Sequence, residues 1–191
     1  ALIKLVKNAK TSLDIQTPYL ITTELSRNLF SDAVKRGVKI RILTNSLAST
    51  DNLEAFNGYQ RDRKALLKTG VEIYEFKPDA EERFKIMTGE LQTKLDFKPI
   101  FGLHSKSMVV DYETTVIGTF NLDPRSANLN TECLAIIHDN KISQSVLKGM
   151  EIEFKPQNSW QTTLDFNPDS EVKIGKRIKV WTRKIVPKEI L

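Results

Sequence analysis

Gly37-Val38-Lys39-Ile40-Arg41-Ile42-Leu43-Thr44 reads as a strand entered from a helix. From Val38 onward apolar and basic residues alternate, the period of a strand with two unlike faces. Ahead of it, Leu25, Leu29, Phe30, Ala33 and Val34 recur at helical spacing between Glu24 and Arg36, and Gly37 stands where a helix ends in a left-handed residue. The same pair of patterns recurs on either side. Leu2, Leu5, Val6 and Ala9 mark a helix face and Leu13 to Thr17 a strand stopped by Pro18, while Leu53 to Lys68 reads as a helix closing at Gly70 before a strand from Val71 to Phe76. The first 76 residues are therefore α-β-α-β-α-β. That wiring predicts an α/β fold with a mixed, largely parallel sheet flanked by helices on both faces.

Residues 77–100 break the rhythm, with the charged run Lys77-Pro78-Asp79-Ala80-Glu81-Glu82-Arg83 and no clear period, and are expected to form a long surface excursion. Strand patterns resume at Leu103 to Asp111, Thr114 to Phe120 and Asn130 to Ile137, closely enough spaced for antiparallel pairing. A helix fits Ile142 to Phe154. The expected organisation is one catalytic half-domain over residues 1–155 and an appended, extended C-terminal extension over 156–191. No internal repeat is visible.

Composition limits the function classes. With 40% hydrophobic residues, 8 Gly and 7 Pro in 191 residues, the chain has enough apolar material for a core, which excludes disordered and fibrous classes. No apolar run approaches the ~20 residues of a membrane span. One cysteine, Cys133, supplies neither an internal disulfide nor a cysteine-based zinc site, and is read as a small core residue on a buried strand. The start at Ala1-Leu2-Ile3-Lys4, without Met, is read as the start of a piece of something longer. A net charge of +5 favours an anionic partner, nucleic acid or acidic lipid.

Reactive side chains concentrate between 104 and 132. His104-Ser105-Lys106 and Asp111 form H-x-K-x4-D, followed by Gly118-Thr119-Phe120-Asn121. On strands, His104 and Lys106 would share a face, as would Thr119 and Asn121, so neighbouring strands would gather an imidazole, an ammonium, a hydroxyl and an amide. Such a set suits a phosphoryl group, with imidazole as nucleophile or acid and donors around the non-bridging oxygens. A lone strand histidine is more often a satisfied polar residue. The whole spacing, however, arises by chance only about once in a million histidines.

His104, Lys106, Asp111, Gly118, Thr119 and Asn121 meet in full the H-x-K-x4-D-x6-G-[S/T]-x-N signature, and the chain resembles the phospholipase D superfamily. Asn121-Leu122-Asp123-Pro124-Arg125-Ser126, Asn130-Thr131-Glu132, Thr17-Pro18-Tyr19 and the strand after Gly37 resemble the C-terminal half of bacterial cardiolipin synthases, a likeness spanning about residues 1–150. The resemblance implies a site built from two such motifs, one histidine forming a phosphohistidine and the other protonating the leaving alcohol, without metal or other cofactor. It implies that Lys106 and Asn121 bind phosphate oxygens, Thr119 assists, and Glu132 orients an imidazole and favours its protonation. Tyr19 and Ser126 are expected to line the substrate cleft; Gly118 and Asp111 are expected to be structural, Asp111 as a buried carboxylate fixing backbone.

Only two histidines are present, and His138-Asp139-Asn140 lacks the residues of a second motif. A matching half is therefore required, either upstream in the same polypeptide or from a second copy. In two-motif relatives the C-terminal histidine is commonly the general acid, the role expected of His104. The implied function is phosphodiester transfer or hydrolysis on an anionic phospholipid, of cardiolipin synthase type, at the membrane periphery of a bacterium. The rivals are a nuclease using the same residues on DNA or RNA and a non-catalytic phosphate-binding half. Trp160 and Trp181, with Arg177, Lys179, Arg183 and Lys184 nearby, are candidates for contact with a membrane or with nucleic acid.

Overall fold

The structure is a computed structural model and describes residues 1–82 and 100–183. In chain order its elements are α1 (Leu2–Asn8), β1 (Ser12–Gln16), α2 (Glu24–Lys35), β2 (Lys39–Asn45), α3 (Leu53–Leu67), β3 (Glu72–Phe76), β4 (Ser107–Val110), β5 (Thr114–Gly118), α4 (Pro124–Asn128), β6 (Leu134–His138), α5 (Asn140–Glu153), β7 (Ser159–Thr162) and α6 (Ile174–Thr182). A short 3-10 turn, Pro168–Glu171, precedes α6. Seven strands form one sheet in the order β6-β5-β4-β1-β2-β3-β7. The sheet is mixed, as expected, although its antiparallel pairings outnumber the parallel ones expected to dominate. Parallel pairing joins the three central strands, β1 to β2 and β2 to β3, and antiparallel pairing extends it on both sides.

Local chemistry accounts for the central half. Thr23 and Ser26 cap the start of α2 reciprocally, Asn52 caps α3 through the Ala55 amide, and Gly37 and Gly70 take φ of +90° and +91° where each helix turns into a strand. Alternation then divides the strands between two cores. Leu13, Ile15, Ile40, Ile42, Met108 and Val110 face one side and pack with Phe30, Ala33, Tyr59 and Leu66 from α2 and α3. Leu43, Val109 and Phe76 face the other and pack with Leu147, Met150 and Phe154 from α5 and its end. Under α5 a buried carboxylate is paired: Arg41 Nε meets Asp14 Oδ1 at 2.5 Å, with the guanidinium 4.5 Å from the Phe154 ring. Burial pushes the Asp14 carboxyl up, and the Arg41 hydrogen bond opposes it.

Three differences from the sequence reading bear on the site. The strand expected from Leu103 begins only at Ser107, and the one expected to reach Phe120 ends at Gly118, so His104, Lys106, Thr119 and Asn121 all sit on strand-end loops. The strand expected from Asn130 starts at Leu134, which leaves Cys133 exposed rather than in the core. The tail expected as an appended extension contributes β7 to the sheet and α6 against α3. Isolated periodicity missed α4 and α6, since α4 is only five residues long and α6 buries Val180 but turns Ile174, Ile178 and Trp181 outward. Of the expected excursion over 77–100, residues 83–99 lie outside the described residues. Lys77 and Glu82 are tied to the segment 156–158, the latter by its amide to Asn158 Oδ1 at 3.0 Å.

Candidate active site

The C-terminal ends of β1 and β2, the start of β4 and the end of β5 meet at one edge of the sheet, where the candidate residues gather. Placement begins with Asn45, the last residue of β2. Its carboxamide clamps Leu103 from both sides, Oδ1 accepting from the Leu103 amide at 2.7 Å and Nδ2 donating to the Leu103 carbonyl at 2.9 Å. That fixes the backbone one residue before His104. Gly102 passes so close to the Ser49 carbonyl that a Cβ would stand 3.0 Å from it. The His104 ring is exposed, and Lys106 brings its Nζ to 3.4 Å from His104 Nε2 and 3.1 Å from the His104 carbonyl. The two side chains meet although neither lies in a strand.

Lys106 is half-buried above a small apolar cavity lined by Met108, Val116, Phe120, Leu122 and Leu134. Burial lowers the Lys106 pKa, while the carboxylates of Glu132, Asp123 and Asp51 hold it up. Phe120 and Leu122, on either side of Asn121, line the same cavity as Lys106. Asn121 is held by its backbone: its amide donates to Ser126 Oγ at 3.2 Å, and the next amide, of Leu122, donates to Thr17 Oγ1 at 3.2 Å. Its side-chain Oδ1 is buried without a hydrogen-bond partner among the described residues. Unpartnered polar atoms are rare in folded interiors.

The remaining candidates divide. Thr119 Oγ1 donates to Glu132 and accepts from the Cys133 amide at 3.0 Å; Asn130 Nδ2 donates to the other Glu132 oxygen at 3.1 Å. The Thr119 hydroxyl holds the Glu132 carboxyl below the usual range, with smaller help from Lys106. Among the described residues Glu132 thus bonds with Thr119, Asn130 and the Ser126 side chain, and none of these bonds joins it to the His104 ring. Ser126 is buried: its amide donates to Asp123 Oδ1 at 2.6 Å, its hydroxyl oxygen accepts from the Asn121 amide, and its side chain also bonds with Glu132. Tyr19 is half-buried at the rim, its hydroxyl 3.4 Å from Asp51 Oδ1; burial and Asp51 push its pKa up.

Gly118 admits no side chain. A Cβ there would lie 2.0 Å from the Cys133 carbonyl, because β5 and β6 approach closely just before Thr119. Asp111 lies at the other end of β4, five residues and about 16 Å along the strand from Lys106. It is half-buried, not buried as expected. Its carboxylate accepts from the backbone amides of Lys10, Thr11 and Ser12 at 2.9, 2.7 and 3.0 Å, and from the Thr11 hydroxyl at 2.9 Å. Burial acts to raise the Asp111 pKa, but these donors outweigh it and hold the carboxyl below its ordinary value. His138 also belongs to the far end, bonded to Thr114 Oγ1 at 2.9 Å. Sequence reasoning assigned no role to Asn45. Its signal was an Asn closing a central strand at the edge where ligands gather.

Residues 2–152 match the family model described as cardiolipin synthase, PLD-like domain. This chain belongs to that family. Cardiolipin synthase C of Escherichia coli is 39% identical over 158 residues, covering 80% of this chain and 31% of that protein. An uncharacterised Helicobacter pylori protein is 36% identical over 163 residues, covering 84% of this chain and 30% of its own length. The chain thus spans about three tenths of the curated relatives it matches. Among solved structures, the phospholipase D family member Nuc from Salmonella typhimurium superposes with a TM-score of 0.57 at 19% identity, covering 85% of this chain and 88% of that one. The phosphatidylserine synthase of Haemophilus influenzae gives 0.66 at 14% identity, covering 100% of this chain and 44% of that one. The fold is that of the phospholipase D superfamily.

Proposed function

We propose that this chain supplies one half of a two-histidine site that transfers phosphatidyl groups between alcohols, with an anionic phospholipid as donor, as in cardiolipin synthesis. The observation that carries the reading is the exposed His104 ring set 3.4 Å from the Lys106 ammonium. In the first step the partner half's imidazole forms a P–N bond as the P–O bond to the leaving alcohol breaks. His104, as imidazolium, gives its proton to the departing oxygen. In the second step neutral His104 takes the proton of an incoming alcohol, whose oxygen forms the new P–O bond as the P–N bond breaks. Lys106 and the Asn121 Nδ2 group donate to the non-bridging oxygens, and Thr119, whose hydroxyl proton is given to Glu132, assists by fixing that carboxylate.

The likeness to cardiolipin synthase C, at 39% identity, supports a lipid substrate. A matching second half completes the site, from the same polypeptide or from a second copy. The test offers the chain, paired with such a half, phosphatidylglycerol vesicles and single-stranded DNA in parallel. Phosphatidyl transfer detected by mass spectrometry of the lipids, with the DNA left intact, is the expected result. Cleavage of DNA without transfer would reassign the site to nucleic acid, and turnover of neither would leave a phosphate-binding half in its place.

A further inference from the structure

The basic residues of this chain are unevenly spread. Between Lys173 and Lys184 the sequence holds six Lys or Arg and no acid, so the rest of the chain carries 23 basic against 24 acidic residues. The positive excess belongs to this one segment. Most of it is α6, whose inner side is anchored: Val180 is buried in the main core, Asn57 Nδ2 donates to the Val180 carbonyl at 3.1 Å, and Arg183 meets Glu54 at 3.3 Å.

The outer side of α6 is apolar. Ile174, Ile178 and Trp181, at the i, i+4, i+7 spacing of one helical face, are 70%, 56% and 64% exposed. Exposed Arg177 and Lys179 flank them. A groove of about 700 Å³ runs alongside, walled by these three residues and Arg177 on α6 and by Gln60 and Arg61 on α3. A helix turned inside out in this way, with cations beside an outward apolar stripe and Trp at its end, has the composition of one that lies in a lipid interface. A nucleic acid backbone would be served by the cations but would leave three large apolar side chains in water.

The helix is also fastened to the candidate site. Lys176 reaches back from α6, its Nζ donating to the Ala48 carbonyl at 3.2 Å and to the Thr50 carbonyl at 3.5 Å. The same loop carries Asp51, which accepts from Tyr19 and acts electrostatically on Lys106. We propose that α6 is an interfacial docking helix: its Ile174, Ile178 and Trp181 face enters an anionic phospholipid surface, flanked by Arg177 and Lys179, and holds the His104 edge of the sheet at that surface. The proposal rests on the phospholipid reading of the site for its purpose, but its test does not depend on turnover.

With Trp160→Phe as background, Trp181 becomes the sole indole and reports burial directly. Its emission is expected to shift to the blue, and the chain to co-sediment, with vesicles of phosphatidylcholine containing about 30 mol% phosphatidylglycerol, and not with pure phosphatidylcholine. Ile178→Glu is expected to weaken that binding at least about tenfold. The pair Arg177→Gln and Lys179→Gln, which leaves the apolar face intact, is expected to weaken it about tenfold and to flatten its salt dependence. Circular dichroism checks folding, and the charge variant keeps the test valid should Ile178→Glu misfold. His104→Ala binds vesicles like the parent while losing turnover, so docking and chemistry fail separately. No binding to the anionic vesicles, equal binding to zwitterionic ones, or binding indifferent to both sets of substitutions overturns the proposal. Equally, a blue shift elicited by single-stranded DNA in place of vesicles reassigns α6 to nucleic acid, and self-association lost in Ile178→Glu reassigns it to a second copy.

Discussion

At the Ser107 end of β4, Lys106 and His104 touch each other while the histidine ring stays open to solvent; at the Val110 end, Asp111 accepts four hydrogen bonds from residues 10–12. All three residues belong to one short motif, yet their surroundings are opposite. Where the carboxylate is saturated with donors, it ties the start of β1 to the β4–β5 turn, in which Asp111 and Tyr112 take φ of 52° and 64°. At the open end an exposed imidazole stands 3.4 Å from a half-buried ammonium whose pKa burial lowers, and the buried Asn121 Oδ1 has no hydrogen-bond partner among the described residues. One end spends its polar groups on the fold, and the other keeps them available. A motif read as a unit is therefore two devices joined by four residues of strand.

The sharpest way to break this contrast is at the open end. In the paired enzyme, His104→Ala or Lys106→Ala is expected to lower turnover at least ~10²-fold, the usual loss for an acid or a charge-stabilising donor. Thermal unfolding of His104→Ala should move by no more than about 0.5 kcal/mol, as for an exposed position away from packing. Unchanged turnover in steady-state assays would place the chemistry elsewhere.

Next in size is Gly118→Ala, which joins the two regions through the fold. Its Cβ would collide with the Cys133 carbonyl, so β5 and β6 must separate; we expect about 1–3 kcal/mol of destabilisation by chemical denaturation, the range for overpacking. Because Thr119 follows directly, turnover should fall as well. A variant as stable as the parent would show that the strands part freely.

Asp111→Asn probes the closed end. A stability loss of about 1–2 kcal/mol at pH 7 is expected from weaker acceptance of the backbone amides, with turnover per folded molecule retained. The sign with pH follows from a carboxyl whose folded pKa is depressed: its contribution is fully present above the unfolded value of 3.8 and is lost as pH falls through the lower folded value. Parent and variant should therefore converge in acid. A gap that widens below pH 3.8, measured by urea unfolding, would contradict the hydrogen-bonded assignment.

Vesicle binding through Ile178 completes the series, since it alters where the open end works and leaves the chemistry of either end alone.

Much of this was legible from residue order. The repeated helix-then-strand pattern up to Phe76 declared an α/β sheet because helical and strand periodicities are local, and Gly37 and Gly70 punctuated it where φ had to be positive. The reactive residues were legible too, since spacing and side-chain chemistry travel with the chain. Their grouping was reached by an argument that the structure changes: His104 and Lys106 meet through a Lys106 side chain folding back along a loop, not as i and i+2 on a strand.

Sequence by itself determined the helix-strand order up to Phe76 and the inventory of imidazole, ammonium, amide and hydroxyl that phosphodiester chemistry needs. Tertiary structure alone decided that Asn45 clamps the backbone before His104, that Asp111 serves the far end, that β7 closes the sheet edge, and that α6 turns its apolar side outward. The physical reason is range. Periodicity reports which residues share a face of one element, whereas strand order and the outward turn of a helix depend on partners dozens of residues away, which no local pattern specifies.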